Sequence, residues 1–362
     1  MKRYKKIVQG IIAGVDVVTI LFMTFIGYSY FIDPSAWSLA SILGLFFPLL
    51  LLINLLLLAI TFFIAKKLVW IPIVGFLICA PPIRTYCPLN FSKDVPKDAI
   101  KVLSYNTLSY GGTKDDNEDN EILQYIKNCD ADLVCLQEAG ATHVSIETIK
   151  KCLNQYTDLD TASVDSANYC SLLILSKFPI IGSEKISAKP IENGGHAFWI
   201  DMNNDTVIVI NCHLKSNELT PEDKEQYQNV LRDIKNKTIK EDSLRMESKK
   251  IAHKLADASI PRSRQAKAIA EYIRIHNEKK IIVCGDFNDN PLSYVHHTIA
   301  KDLQDCYVAT GNGPGFSFNE KGFYVRIDNI LCSHHFQPYN CQIDREIAKS
   351  DHYPIHCCLK NK

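Results

Sequence analysis

From Leu39 to Ala65 this chain carries no charged side chain. A bilayer core of roughly 30 Å is crossed by ~20 apolar residues rising ~1.5 Å each, so this run is long enough to span it as a helix. Before it, Ile7 to Phe31 is apolar except for Asp16; after it, Leu68 to Ile83 is a shorter apolar run closing on Pro81-Pro82. The chain is therefore expected to begin with two or three transmembrane helices, at about 7–31, 39–65 and 68–83, followed by a soluble domain over 91–362. A cleaved leader fits the first run poorly, because that run is too long and more spans follow. An acid inside a span is costly, so Asp16 is expected at an interface or against a partner in the helix bundle.

Basic residues orient such a segment. Lys2, Arg3, Lys5 and Lys6 precede the first run and Lys66-Lys67 precedes the third, whereas the connection around Asp33-Pro34-Ser35 has neither Lys nor Arg. Cytoplasmic loops collect Lys and Arg, so both basic clusters are expected inside. Trp70 and Tyr86 suit the two interfaces of the third span. Three spans put the domain outside the cytoplasm; two leave it inside. The expectation is an integral protein of the cytoplasmic membrane with an extracytoplasmic domain and no obligate protein partner.

After the linker Phe91–Asp98 the pattern changes. Strand-like apolar runs alternate with helical stripes such as Asn120–Asn128 and Ser263–His276, which implies an α/β domain. The apolar runs end in polar islands. Ile281-Ile282-Val283-Cys284 stops at Gly285-Asp286-Phe287-Asn288, Ile100–Tyr105 at Asn106, and Leu133–Gln137 at Glu138. Val207–Ile210 delivers Asn211 and His213 at period-2 spacing, so both face one way. Val325–Leu331 carries Asp328, and Ser350-Asp351-His352-Tyr353-Pro354 follows. Singly each island reads as a turn or a cap; together they read as a hydrolytic site, where an acidic oxygen activates water and amides hold a charged oxygen.

In this order, Leu103-Ser104-Tyr105-Asn106, Leu136-Gln137-Glu138, Asn211-Cys212-His213-Leu214, Gly285-Asp286-Phe287-Asn288, Arg326-Ile327-Asp328 and Ser350-Asp351-His352-Tyr353-Pro354 resemble the motifs of the endonuclease/exonuclease/phosphatase superfamily, the DNase I-like fold, over residues from about 97 to 360. The resemblance implies a four-layer α/β/β/α sandwich and phosphoester hydrolysis dependent on Mg²⁺, with Mn²⁺ as a substitute. It implies Glu138 as the metal ligand with Asn106 beside it, and Asp351 as a further ligand or a residue shaping the site. Asp286 would orient or deprotonate the attacking water, and Asn288 would donate to a phosphoryl oxygen. His213 and His352 would flank the phosphate, with Asp328 holding the His352 imidazole. Hard oxygen ligands match a hard cation that offsets charge building on the phosphate. Asn211 is a candidate substrate contact. So is His196, because the Gly194-Gly195 stretch before it lets backbone approach a phosphate.

Charge narrows the substrate. Residues 1–90 hold seven Lys/Arg and two Asp/Glu, leaving 33 and 38 to the domain. A nonspecific duplex binder needs a basic footprint, and none is present. His213 stands where abasic-site repair enzymes of the superfamily present Tyr, which argues against that role. Nucleic acid and phospholipid or sphingolipid head groups remain as phosphodiester substrates, a small phosphate monoester as an alternative, and a non-catalytic binding module as the contrasting class. The 13 cysteines show no disulfide framework and no Cys-x-x-Cys pair, which favours a reducing compartment and pulls against an outward domain. Ser216 to Pro261 exceeds a minimal member of the fold. Thr220 caps a helix there, and a solvated excursion is expected in preference to a substrate-gripping arm.

Overall fold

The computed structural model describes residues 2–112, 117–140, 143–163, 171–188, 191–217, 219–236 and 241–362. The apolar runs become strands buried on both faces, which is why they read as continuous and not alternating. In chain order they are β1 (Ile100–Asn106), β2 (Leu133–Gln137), β3 (Asp158–Ser163), β4 (Ser171–Ser176), β5 (Ile180–Ala188), β6 (Ile191–Asp201), β7 (Thr206–His213), β8 (Lys280–Asp286), β9 (Gln304–Asp305), β10 (Asp328–Cys332), β11 (Phe336–Ile343) and β12 (Ile355–Asn361). They form two six-stranded mixed sheets, ordered β11-β12-β1-β2-β4-β3 and β5-β6-β7-β8-β10-β9. The pairs β1–β2 and β7–β8 are parallel, one in each sheet.

Val102, Leu133, Val209, Ile282, Ile330 and Ile355 meet in the core between the sheets. Helices α7 (Glu121–Cys129) and α8 (Ile146–Cys152) cover the first sheet, and α10 (Glu241–Ile275) and α11 (Tyr294–Ala300) cover the second. This is the expected α/β/β/α sandwich. Asn120 starts α7 by accepting the amides of Ile122 and Leu123 at 3.0 and 3.3 Å, the usual answer to orphan N–H groups at a helix start. The stripe at Ser263–His276 is not a separate helix; it is the end of α10, which runs through Pro261. Burial of Ala256, Ser259, Arg262 and Ser263 on either side of that proline holds the helix together despite the missing N–H.

Preceding the sandwich are α1 (Lys2–Gly27), α2 (Ala40–Leu43), α3 (Phe47–Ile64), α4 (Trp70–Ile78) and α5 (Ala80–Tyr86). Two stretches, Arg3–Phe31 and Ala40–Ile64, are long and apolar enough to cross a membrane. The third apolar run is not one straight helix: α4 and α5 meet at a 59° bend. Pro81 and Pro82 cause the break, because neither has an N–H to continue the ladder and both prefer a helix start. Helices α1 and α3 are antiparallel, with Gln9 reaching Ile64 O, Asp16 accepting from Thr61 at 2.8 Å and Thr19 donating to Asn54 at 3.0 Å. Asp16 thus has its partner inside the bundle. Helix α4 runs alongside α1 in the same direction: Gly75 packs on Ile20, Thr24 contacts Cys79, and Tyr28 donates to Ile78 O.

The sandwich rests on one end of this bundle. Asp33 pairs with Lys267, Tyr30 stacks on His297 with ring centroids 4.4 Å apart, and Arg326 donates to Thr85 O at 2.9 Å. Both the Asp33 connection and the exit at Thr85 therefore lie at the domain end, with Lys66-Lys67 at the other.

Candidate active site

The site lies along one edge of the sandwich, where β1, β2, β7 and β8 end and β10 and β12 begin. Open α/β sheets place ligands beyond such strand ends. Register alone brings three of the residues abreast: His213 pairs with Asp286 across β7–β8, and Asp286 with Asp328 across β8–β10. Gly285 makes this approach possible. It sits at φ +138°, and a Cβ there would collide with the Cys212 carbonyl. Glu138 and Asn288 both take left-handed backbone, at φ +51° and +53°, which is uncommon for such residues and concentrates at functional sites.

Asn106 is the bridge between the sheets. Its Nδ2 donates to Glu138 Oε1 at 3.0 Å and to Asp286 Oδ2 at 3.1 Å, while its Oδ1 accepts from the Leu108 amide. Asp286 Oδ1 accepts the Asn288 amide at 2.7 Å, and Asn288 Nδ2 reaches both Asp286 Oδ2 and Leu214 O. His213 Nε2 lies 3.5 Å from Glu138 and 3.7 Å from Asp286. His352 Nδ1 is 2.9 Å from Asp328 Oδ2, which points its Nε2 toward Asp286 at 3.7 Å. Asp286, Asp328 and His352 are all buried.

Burial pushes the Asp286 carboxyl up to about 6; neighbouring Asp328 adds to this, and His352, His213 and the Asn288 amide only partly offset it. Burial alone would lower His352, but the Asp328 and Asp286 carboxylates outweigh it and raise the imidazole to about 10. The arrangement is therefore a buried carboxylate poised near neutrality beside an imidazolium.

The bonds to Asn106 hold Glu138 at the mouth of the cluster, its side chain a third exposed. The expected residues Asn106, Glu138, His213, Asp286, Asn288, Asp328 and His352 all converge. Asp351 stands at the rim: one carboxylate oxygen is 3.9 Å from His352 and the other 3.5 Å from Lys224.

Two candidates fall elsewhere. Asn211 is fully buried between the sheets, accepting from Gln137 at 2.7 Å and donating to Leu136 O and Leu173 O. With its amide committed, it stitches the sheets together. His196 lies within β6, not in a loop, with its ring against Phe198 at 4.8 Å. It stands two strands from Asp286.

Other participants went unremarked in the sequence. Arg262, buried in α10, donates to Asn288 O and pairs with Asp289 at 3.2 Å, bracing the turn after Asp286. Ser350 Oγ donates to Asn106 O at 2.7 Å and accepts the His352 amide. The helix α9 (Pro221–Asn236) is solvated along Glu222, Glu225 and Gln226 but docks by its other side: Lys224 reaches Glu320 and Asp351 and lies over Phe318, whose ring meets His352. Tyr227 stacks on Phe323 with centroids 4.7 Å apart. A lysine in a charged helix gives no sign of such a contact.

No curated protein sequence gives a significant match. The model of the Endonuclease/Exonuclease/phosphatase family matches residues 103–352, and residues 9–86 match a Domain of unknown function (DUF8431). Among solved structures, an endonuclease/exonuclease/phosphatase from Bacteroides vulgatus is similar at 16% identity and TM-score 0.50, covering 74% of this chain and all of that one. The human Nocturnin catalytic domain with bound sulfate anion is similar at 16% identity and TM-score 0.51, with 74% and 97% covered. At such identity these two show the shared fold. The family match spans well over half of the sequence and encloses all seven converging residues, so the chain belongs to the endonuclease/exonuclease/phosphatase family, whose enzymes are divalent-metal-dependent hydrolases of phosphoester bonds.

Proposed function

We propose that this protein is a membrane-anchored phosphodiesterase that hydrolyses a phosphoester carried by a lipid at the outer face of the cytoplasmic membrane. One observation carries the lipid reading. The loop leaving Asp286–Asn288 is seated on the ends of the apolar helices: Leu292 packs with Met23, Phe47 and Cys79, and Asn290 lies against Gly44. A bond breaking at Asp286 therefore breaks close to the membrane surface. The acidic balance of the domain adds to this, since it disfavours a polyanionic duplex.

The oxygens present fit a hard cation. Glu138 would hold it, supplying the negative charge at a solvent-reachable mouth, and Asn106 would orient that carboxylate through its Nδ2. Asp286, Asp328 and His352 also offer ligand atoms within 4.8 Å of one another. Asp328 and His352 already bond each other, however, and act better as a dyad. When bound, the ion would offset charge on the non-bridging oxygens. Asp286 would take the proton of the attacking water, its raised pKa matching that task near neutral pH. Asn288 would hold Asp286 in place through its amide and side chain. His352, kept protonated by Asp328, would face the phosphoryl oxygens with a fixed positive charge. His213 would flank the same group from β7, and Asp351 would shape the rim.

The test is a substrate panel with the full chain in bilayer discs: sphingomyelin, phosphatidylglycerol, single-stranded DNA and a soluble aryl phosphomonoester, with Mg²⁺ or Mn²⁺. Lipid hydrolysis that disappears in Glu138→Gln and in excess chelator is expected. Turnover of DNA or the monoester with no lipid product would overturn the lipid reading, and full activity in chelator would overturn the metal assignment.

A further inference from the structure

Where the chain leaves α5 it borders a groove lined by cations. Its volume is about 910 Å³, and its walls are residues 89–93, the loop after α12 (Cys306–Thr310), and β11 with the residues just beyond it. Arg84, Lys93 and Arg345 line it, and no Asp or Glu does. That is unexpected in a domain where acids outnumber bases 38 to 33. Elsewhere Lys177, Lys224 and Lys254 each sit against a carboxylate. Among the described residues, neither Lys93 nor Arg345 has such a partner; Arg345 lies near the ring of Tyr353, 5.9 Å away, and within electrostatic reach of the Tyr307 hydroxyl. Arg84 is fixed by Asn90 and by the carbonyl of Val308, so one cation is preset and two are unclaimed.

A second observation points to the same ligand. Leu89 and Phe91, at the lip of the groove, are 79% and 98% exposed. Large apolar side chains held out in water are unfavourable, whereas at a bilayer interface they find their place beside cations that attract anionic lipid. They follow directly on the last helix of the apolar segment, at the bundle end that carries the domain. We propose that this groove binds the phosphate-bearing head group of an anionic phospholipid, with Lys93 and Arg345 on the phosphate and Leu89 and Phe91 at the acyl boundary. The proposal rests on the chain crossing the membrane, and it holds whatever substrate the catalytic edge accepts.

The test uses the full chain carrying Glu138→Gln, so that the catalytic site neither turns over the probe nor holds a metal for its phosphate. Delipidated protein in neutral detergent is titrated with short-chain phosphatidylglycerol, short-chain phosphatidylcholine or inorganic phosphate, reading bound lipid by native mass spectrometry and melting temperature in parallel. Phosphatidylglycerol should bind in preference to the other two. Lys93→Gln and Arg345→Gln should each weaken it roughly fivefold, and the pair multiplicatively. Unchanged binding in the double variant, or equal binding of phosphatidylcholine, would overturn the proposal. Equal effects of inorganic phosphate would identify a free-phosphate site instead. If the double variant melts early without ligand, Leu89→Ser with Phe91→Ser, which leaves the cations in place, must lose lipid but not phosphate binding for the proposal to stand.

Discussion

Asp286 is buried and contacted at five points, by Asn106, by the Asn288 amide and side chain, and by the approach of two imidazoles, so its part would lie in proton transfer and not in capturing substrate. Asp286→Asn should therefore leave KM close to normal and lower kcat by roughly two to four orders of magnitude. Steady-state kinetics on the best substrate decides this, and near-normal turnover would remove Asp286 from the proton-transfer role. The His352–Asp328 pair makes a second prediction at this scale. Because the folded pKa of His352 is raised from 6.5 to about 10, its contribution to stability is complete below pH 6.5 and is lost as pH climbs through 10. The raised carboxyl of Asp286 acts in the same direction at lower pH, losing stability as pH rises through about 6. In chelator, the melting temperature should fall between pH 7 and 10, and Asp328→Asn should flatten that fall. An identical slope in the variant would mean that the pair is not what titrates.

At the level of elements, α9 shows how a charged helix becomes part of a site. Thr220 and Asp223 cap each other's amides at its start, and Lys250 and Lys254 from α10 close on Asp223, so the hairpin is pinned at its base. That anchoring leaves Lys224 and Tyr227 to meet the Phe318–Phe323 segment beside His352. Lys224→Ala should loosen this contact and raise KM several-fold with a smaller change in kcat, because the residue lies at the rim and not among the reacting groups. The kinetic split checks it; a kcat collapse at unchanged KM would place Lys224 inside the chemistry. The third apolar segment teaches a related point. Its length and composition are those of a short span, but two adjacent prolines divide it into α4 and α5, and only packing against α1 shows which way each half runs.

For the whole molecule, the parallel course of α1 and α4 is what three crossings would require, and with Lys66-Lys67 in the cytoplasm the domain would then lie outside. A reporter active only when exported, fused after Lys362, should be active, and a cytoplasm-only reporter silent; the reverse result would invert the topology. The described cysteines are all free thiols and mostly buried, where Cys behaves as a small hydrophobe; their number alone therefore argues weakly about the compartment. By itself the sequence determined the apolar segment, the α/β class and nearly all of the converging site, because motif residues at strand ends need only the strand to be aimed. Tertiary structure alone decided the rest. Asn211 and His213 share a face of β7, but β2 and β4 of the first sheet claim one amide and leave the imidazole at the edge. Arg262, Lys224 and the groove at Arg345 depend on segments far apart in the chain. Such contacts arise from packing between layers, which no local pattern of residues encodes.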